Sequence, residues 1–407
     1  MNVTVPANPV ERTPLNVRPP LLKVIGLGGG GSNAVNRMIE LGLSGVDFIA
    51  ANTDAQALKS SLAPTRVQLG PHLTRGLGAG GDPKIGEAAA EESYRELQAA
   101  LSGADMVFLA AGMGGGTGTG SIPVVARIAH SIGAVTIATV SMPFSFEVGR
   151  RQKNAVEGLA RLRPFTDTLI TVPNDRLLQI APRDLSLELA FRMADDVLRQ
   201  GIQGITELVT QPGMINVDFA HIRRMMQSGG GSLLSIGCGE GPGKAMQAVE
   251  RALHHPLLES IPLENVTGII TNFTGGKDLA FFEVAEALTY LQAQTNNQAD
   301  IIPGVINDER MENRAEAILV ITGIGATPVD AAATHSTTVQ QPVPEKVVEP
   351  QAQRAQPQPP QSQSQQQPSP TQAEPVRMVR LHEPSAVELA GAQTDLDLPA
   401  FMRRRVR

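Results

Sequence analysis

Nine residues, Gly112-Met113-Gly114-Gly115-Gly116-Thr117-Gly118-Thr119-Gly120, have the composition of a phosphate cradle. Glycine takes positive φ freely and lets another group approach its backbone without meeting a Cβ. Successive bare N–H groups leading into a helix N-terminus offer donors and partial positive charge to phosphate oxygens. Thr117 and Thr119 add hydroxyl donors. A structural turn would account for the glycines alone. The flanks argue for a ligand: Met106-Val107-Phe108-Leu109-Ala110-Ala111 reads as a buried strand, and residues 122–132 carry a helical pattern.

A second glycine loop stands nearer the start. Leu21-Leu22-Lys23-Val24-Ile25-Gly26-Leu27 reads as a short buried strand, and Gly28-Gly29-Gly30-Gly31-Ser32-Asn33 opens a helix. Gly26, Gly28 and Gly31 satisfy the GxGxxG dinucleotide fingerprint. The next strand, Val46-Asp47-Phe48-Ile49-Ala50-Ala51, runs into Asn52-Thr53-Asp54, where a ribose-binding acid would sit. On this loop alone a dinucleotide-dependent oxidoreductase is a real rival, but it leaves the loop at 112–120 without a role. A third loop, Gly76-Leu77-Gly78-Ala79-Gly80-Gly81-Asp82-Pro83, precedes a helix predicted from Lys84 to about Leu101.

Loops of this kind need a sheet to hold them together. Strand patterns at residues 134–142 and 168–172 alternate with a helical pattern over 150–163, which argues for a doubly wound parallel sheet with its ligand loops at the carboxyl ends of the strands. Residues 185–209 form one long helical pattern. Leu189, Met193, Val197 and Ile205 fall on one stripe and Ala190, Ala194, Leu198 and Ile202 on the next, so the helix is expected to be buried on most sides, between two domains. Strand-like runs at 233–236, 266–270 and 317–321, with helical stretches at 245–253 and 281–291, make a second α/β domain. His254 and His255 read as a capping or solvated pair rather than a metal site.

Composition changes sharply after Gly325, where Pro, Gln, Ser and Ala dominate. Such a segment cannot bury enough apolar surface to offset its ordering entropy and reads as a disordered linker, with a mean reach on the order of 40 Å. The last residues, Asp395-Leu396-Asp397-Leu398-Pro399-Ala400-Phe401-Met402 and four arginines among Arg403-Arg404-Arg405-Val406-Arg407, have the pattern of a docking peptide or of a frayed tail. The division expected is an extension at 1–20, a ligand-binding domain at 21–184, a central helix at 185–211, a second domain at 212–325, a linker at 326–392 and a terminal peptide at 393–407.

Bulk properties narrow the function. At 407 residues and 42% hydrophobic content the chain supports two domains and a tail. A formal net charge of -6 argues against a general nucleic-acid binder. The single cysteine, Cys238, excludes an internal disulfide framework, fits a reducing compartment and reads as a packed or idle thiol. The first twenty residues lack the apolar core of a secretory signal, and no apolar run reaches transmembrane length, so the reading is a cytoplasmic protein.

The GGGTGTG run is the signature of the tubulin and FtsZ superfamily, and residues 21–325 and the last dozen or so resemble the bacterial FtsZ family closely. That resemblance implies a filament-forming cytoskeletal GTPase that assembles the division ring at midcell. It assigns phosphate contacts to Gly29, Gly30, Gly31, Ser32 and Asn33 and to Gly116, Thr117 and Gly118, with Gly80 and Gly81 nearby. It also assigns ribose and phosphate contacts to Glu147 and Arg151, guanine contacts to Asn174 and Asp195, and base stacking to Phe191. Taken singly, Glu147 and Arg151 also read as an ordinary i,i+4 surface pair. A carboxylate at 195 suits guanine because it accepts from N1–H and the 2-amino group together, which adenine does not offer. GTP and GDP are thus the implied ligands. No Walker lysine follows a glycine loop, so backbone amides and Mg²⁺, with a monovalent cation such as K⁺, must offset the triphosphate charge.

By the same resemblance the loop Met214-Ile215-Asn216-Val217-Asp218-Phe219-Ala220 points at the γ-phosphate of the next subunit, so hydrolysis requires a head-to-tail homopolymer. Asn216, Asp218 and the residue three places on would be catalytic. That last position, an aspartate in the family, is His221 here. Neutral imidazole attracts a cation less than carboxylate does, yet it can serve as a general base. Slow hydrolysis is therefore one expectation, with a weakly hydrolysing structural filament as the alternative. A neighbouring acid that substitutes for the missing aspartate is the other. Leu398, Pro399 and Phe401 would anchor membrane-tethering and regulatory division proteins, with no direct membrane span.

Overall fold

Alternation of side chains in the strands explains the layers. In β1 (Leu22–Leu27) Leu22 and Val24 enter one core while Ile25 and Leu27 enter another. The same division separates Met106, Phe108 and Ala110 from Val107, Leu109 and Ala111 in the strand Met106–Gly112. A strand buried on both faces needs helices on both sides, and a parallel sheet with crossover helices provides them. The computed structural model of the chain describes residues 18–147, 149–179, 181–182, 184–210, 218–227, 231–255, 263 and 266–324. The expected N-terminal extension up to residue 17, Asn216, the linker, and the terminal peptide with Leu398, Pro399 and Phe401 lie outside the described residues.

After β1 come α1 (Gly28–Glu40), β2 (Asp47–Asn52), α2 (Ala55–Lys59), β3 (Thr65–Gln68), α3 (Pro71–Thr74), α4 (Pro83–Glu92) and α5 (Tyr94–Leu101). Then follow β4 (Met106–Gly112), α6 (Thr117–Ser131), β5 (Val135–Met142), α7 (Arg150–Leu162), β6 (Thr168–Pro173) and α8 (Asn174–Leu177). The long helix α9 (Leu187–Thr210) leads to α10 (Phe219–Met226), β7 (Gly231–Glu240), α11 (Lys244–Leu253), β8 (Gly268–Gly275), α12 (Phe281–Gln294), β9 (Asp300–Asn307) and β10 (Arg314–Ile324). Among the described residues the strands form one sheet in the order β3-β2-β1-β4-β5-β6-β7-β10-β8-β9. β1 to β6 are parallel throughout, and β7 continues parallel to β6 through Leu169↔Gly231 and Ile170↔Ser232.

Only β10 runs against its neighbours, β7 and β8. Residues 308–313, which connect β9 to β10, are too few for a helical crossover, so the strand returns antiparallel. β3 and β9 escape the sequence reading. In β9 the cause is Pro303-Gly304, which breaks the apolar pattern. β9 is the last strand in the order, where a proline costs the ladder nothing on the open side, and a Cβ on Gly304 would lie 1.8 Å from the Leu208 side chain of α9. The helix expected over 84–101 is divided into α4 and α5. Ser93 is buried at the break, accepts from Gly70 N–H at 3.0 Å and donates to the Gln68 carbonyl at 3.1 Å. These two side-chain bonds tie the break to the end of β3, a contact that local pattern does not contain.

α9 crosses one face of the sheet. Its Ala194, Leu198, Ile202 and Ile205 share a core with Val24, Phe108 and Ile137 from one half of the sheet and with Ile270, Ile302, Ile318 and Val320 from the other. Leu189, expected on a buried stripe, is 48% exposed in the first turn. A separate core beneath α11 and α12 holds Phe273, Leu291, Leu319 and Ile321. The Cys238 thiol is free and half-buried, and burial and the Glu316 carboxylate push it up, so it is a weak nucleophile. His254 Nδ1 lies 2.8 Å from the Glu250 carbonyl at the end of α11, a capping contact.

α1 packs directly on the sheet: a Cβ on Gly31 would lie 2.1 Å from the Ala110 carbonyl oxygen and 2.9 Å from Gly26 C. Backbone atoms of two strands cannot give way as a side chain can. Gly31→Ala is therefore expected to lower unfolding free energy by about 2 kcal/mol or more in a urea titration.

Candidate functional site

A cavity of about 840 Å³ opens at the carboxyl ends of β1, β2, β4, β5 and β6, lined there by Leu27, Asn52, Gly112, Ser141 and Asn174. The strand order 3-2-1-4-5-6 reverses direction between β1 and β4, and the crevice at such a switch point is where open α/β sheets hold ligands. All three glycine loops reach it, through Gly29 and Gly30, through Gly76 to Gly81, and through Gly112 and Gly115 to Gly118.

Two helix N-termini meet at this point without caps. Neither Leu27, before α1, nor Gly116, before α6, makes a side-chain cap, and neither helix has an acid in its first turn. α4, by contrast, is capped by Asp82, whose Oδ1 accepts from Lys84 N–H at 2.9 Å. The first N–H groups of α1 and α6 are thus unsatisfied by capping side chains, and the helix dipoles make both ends positive. The helices can approach because a Cβ on Gly28 would lie 2.8 Å from Gly118 N, and one on Gly118 2.8 Å from the Gly112 carbonyl.

Gly29 and Gly115 differ from these packing glycines. Neither has positive φ, and a Cβ on either would meet nothing within 4 Å, yet both line the cavity. Nothing in the protein requires glycine there; what the missing side chains leave is room for a ligand against bare backbone. Asn33, Gly80, Gly81, Gly116 and Thr117 also line the cavity. Gly31 and Ser32 stand behind it: Gly31 serves packing, and the buried Ser32 Oγ has no partner among the described residues. The Thr117 hydroxyl lies 2.6 Å from the hydroxyl of buried Thr53, which fixes its rotamer.

The opposite end of the cavity is aromatic and polar. The Phe191 ring on α9 meets Phe144 edge-on at 5.4 Å, and Phe144 stacks on Phe146 at 5.0 Å. Asn174 is buried at the start of α8 with its Oδ1 unpartnered among the described residues. Asp195 makes no hydrogen bond to a described side chain or backbone group, while its neighbour Asp196 binds Arg199. Burial and then the Asp196 charge push the Asp195 carboxyl up to about 8, although one side of it remains open to the cavity. An amide oxygen and a carboxyl without partners among the described residues, beside an aromatic ring, suit a flat ligand with several N–H donors.

Glu147 and Arg151 line the cavity and pair with each other; Glu147 Oε1 also accepts from Phe144 N–H at 2.9 Å. Asp54, the acid a dinucleotide enzyme would turn to ribose, lines the cavity too, but its Oδ1 caps α2 through Gln56 and Ala57 N–H. Sequence reasoning missed Gln56, Ser141, Glu188 and Arg192 as lining residues. Glu188 and Arg192 carried a signal, being two turns and one turn from Asp195 on the same helix. Asp218 and His221 are not at the cavity. Asp218 caps α10 by accepting from Ala220 N–H at 3.0 Å, and His221 Nε2 lies 3.0 Å from Asp300 Oδ2. No group of three or more His, Cys, Asp or Glu among the described residues forms a metal cage.

Two family descriptions match: the Tubulin/FtsZ family GTPase domain over residues 21–182 and the FtsZ family C-terminal domain over 230–325. FtsZ from M. jannaschii, solved as an empty dimer, is 44% identical, covers 76% of this chain and 90% of that one, and superposes with a TM-score of 0.73. The chain belongs to the tubulin/FtsZ family. A mutant of the same M. jannaschii FtsZ gives 43% identity, coverage of 77% and 94%, and the same TM-score of 0.73. CetZ2 from Haloferax volcanii, solved as a GTPγS-bound protofilament, is 20% identical with a TM-score of 0.64 over 76% of this chain and 94% of that one, and shares the fold. The family is one of filament-forming, GTP-binding GTPases, and this chain is an FtsZ-type member.

In this FtsZ-type site Gly115→Ala adds one methyl to the cavity and touches nothing in the protein. Triphosphate affinity is expected to fall at least about tenfold by calorimetry, with a melting temperature within about 2 °C of wild type.

Proposed function

We propose that this FtsZ-type chain assembles with GTP into head-to-tail filaments that build the division ring beneath the midcell membrane, and that it hydrolyses GTP to GDP and phosphate at the contact between subunits. The observation that carries the reading is the pair of uncapped helix N-termini, α1 and α6, facing a cavity beside two glycines that the protein itself does not need. Bare N–H groups and two aligned dipoles bind phosphate oxygens without a lysine. Gly29, Gly30 and Gly116 to Gly118 would hold the phosphates, with Gly80 and Gly81 closing over them. Glu147 and Arg151 would reach the ribose and phosphate side, and Phe191 would stack on the base.

Asn174 and Asp195 supply the guanine preference. The free carboxyl titrates near 8, whereas binding to N1–H and the 2-amino group requires the carboxylate. Below about pH 8 the proton on Asp195 competes with the base, so affinity falls as pH falls. Mg²⁺ fits as a cation carried by the phosphates and completed by few protein oxygens, in keeping with the lack of a cage among the described residues. When bound it would neutralise charge developing on the β- and γ-oxygens; a monovalent cation such as K⁺ would assist. Asn216, Asp218 and His221 would act on the nucleotide of the adjoining subunit. The terminal peptide, through Leu398, Pro399 and Phe401, would dock membrane-tethering and regulatory division proteins. No helix among the described residues is long and apolar enough to cross a membrane.

Light scattering with phosphate release tests the reading as a whole: GTP with Mg²⁺ is expected to give polymers and phosphate, and neither ATP nor NAD to give either. Polymer formation equal with ATP, or none with GTP, contradicts it. Within the site, affinity for GTP is expected to fall roughly tenfold per pH unit below pH 8, and Asp195→Ala to abolish that slope together with the preference for GTP over ATP. A flat affinity from pH 6 to 8 in the wild type would remove Asp195 from the base contact.

A further inference from the structure

α10 and β9 bring together two residues that the cavity does not contain. His221 stands in the first turn of α10, after the Asp218 cap, and its Nε2 lies 3.0 Å from Oδ2 of Asp300, the first residue of β9. Asp300 is fixed by the sheet, with its N–H donated to the Thr267 carbonyl at 3.1 Å and its place in register with Gly268. The two side chains are 36% and 58% exposed, so the pair lies open at the surface.

A carboxylate only accepts hydrogen bonds, so the contact places the imidazole proton on Nε2 and leaves Nδ1 as the lone-pair nitrogen. The neutral imidazole and the carboxylate carry one negative charge between them, the same as a single aspartate. Among the described residues, the elements around the pair carry few other charges. α10 contributes Asp218, Arg223, which donates to the Gly133 carbonyl at 3.3 Å, and Arg224. β5, which packs on α10, has no titratable side chain, nor has β8, the neighbour of β9, and β9 has only Asp300.

We propose that Asp300 is a positioning residue for hydrolysis, holding His221 in the Nε2–H form so that one subunit presents an Asp–His base to the nucleotide of the next. The inference rests on the reading that the start of α10 faces a neighbouring subunit's γ-phosphate. In the step, water gives a proton to Nδ1 of His221 as its oxygen attacks the γ-phosphorus. The bond from that phosphorus to the β–γ bridging oxygen breaks, and its electron pair leaves with GDP. The imidazolium, held against the Asp300 carboxylate, then releases its proton to solvent. The pair thereby supplies both the charge and the proton acceptor that an aspartate at 221 would have offered.

The test is phosphate release per polymerised subunit, with polymer measured by sedimentation, for full-length wild type, Asp300→Asn, His221→Gln and the double variant between pH 6 and 8. The wild-type rate is expected to rise with pH across this range, and the rise to vanish in His221→Gln. Asp300→Asn is expected to lower the rate at pH 8 about tenfold, and the double variant to be no slower than His221→Gln, because the two residues act as a unit. Asp300→Asn within twofold of wild type, or losses that multiply in the double variant, overturns the proposal. If Asp300→Asn does not assemble, the comparison of wild type with His221→Gln decides, and identical pH profiles overturn it. A wild type that neither polymerises nor releases phosphate with GTP contradicts the underlying reading instead.

Discussion

The close contact of α1 with the sheet is the constraint on which the site depends. Gly31 lies against the Ala110 carbonyl and Gly28 against Gly118, with no room for a Cβ at either. Because α1 follows β1 and α6 follows β4, and those strands are neighbours, this contact brings both helix N-termini to one spot. Two dipole ends side by side repel one another, each worth up to about 1 kcal/mol towards an anion at the surface and more where water is excluded. The arrangement is stable in the fold because Leu22, Val24, Phe108 and Ile25 are fully buried around it. A bound triphosphate relieves the repulsion. Ligand affinity and core packing are thus consequences of the same backbone approach.

α9 extends the consequence to the rest of the molecule. Its first turns carry Glu188, Phe191, Arg192 and Asp195 to the cavity, and its later turns pack on both halves of the sheet. Gly201 and Gly204 let Leu234 and Ile318 approach to about the limit of contact, with a Cβ there meeting them at 2.9 and 3.1 Å. Buried Leu198, Ile202 and Ile205 each contribute roughly 1.5–3 kcal/mol of hydrophobic stabilisation to that seam. Phe191 and Asp195, which would stack on and read the base, are therefore on the same rigid element that locks the second half of the sheet. A shift of the helix on either side of the seam would be felt on the other.

Much of this was legible in the residues, and the parts that were not share a cause. Glycine loops between apolar strands and helical patterns report backbone geometry directly, so Gly112 to Gly120 and Gly28 to Asn33 marked the cavity, and short apolar runs marked β1 and β4. The helix at 187–210 was legible because its stripe is long. What local pattern hides is set by tertiary contact. Ser93 breaks a helix only because the Gly70 N–H is there to donate to its hydroxyl and the Gln68 carbonyl to accept from it. Pro303 is tolerated in β9 only because that strand is an edge. Asp300 looks like an ordinary loop acid until the sheet sets it against His221 from a distant part of the chain. Gly31 belongs to the fingerprint by sequence and Ser32 follows it, yet Gly31 serves packing and the Ser32 hydroxyl is buried, since spacing alone does not say which residue of a glycine loop faces a ligand.

The central claim is that bare backbone at two helix N-termini holds the phosphates. The most direct measurement is a crystal structure of the full chain with GTPγS and Mg²⁺. The account requires phosphate oxygens within about 3.2 Å of N–H groups in both the loop at 28–33 and the loop at 115–118, with the base between Phe191 and Asp195. Phosphates held by side chains alone, or a nucleotide bound outside this cavity, would contradict it.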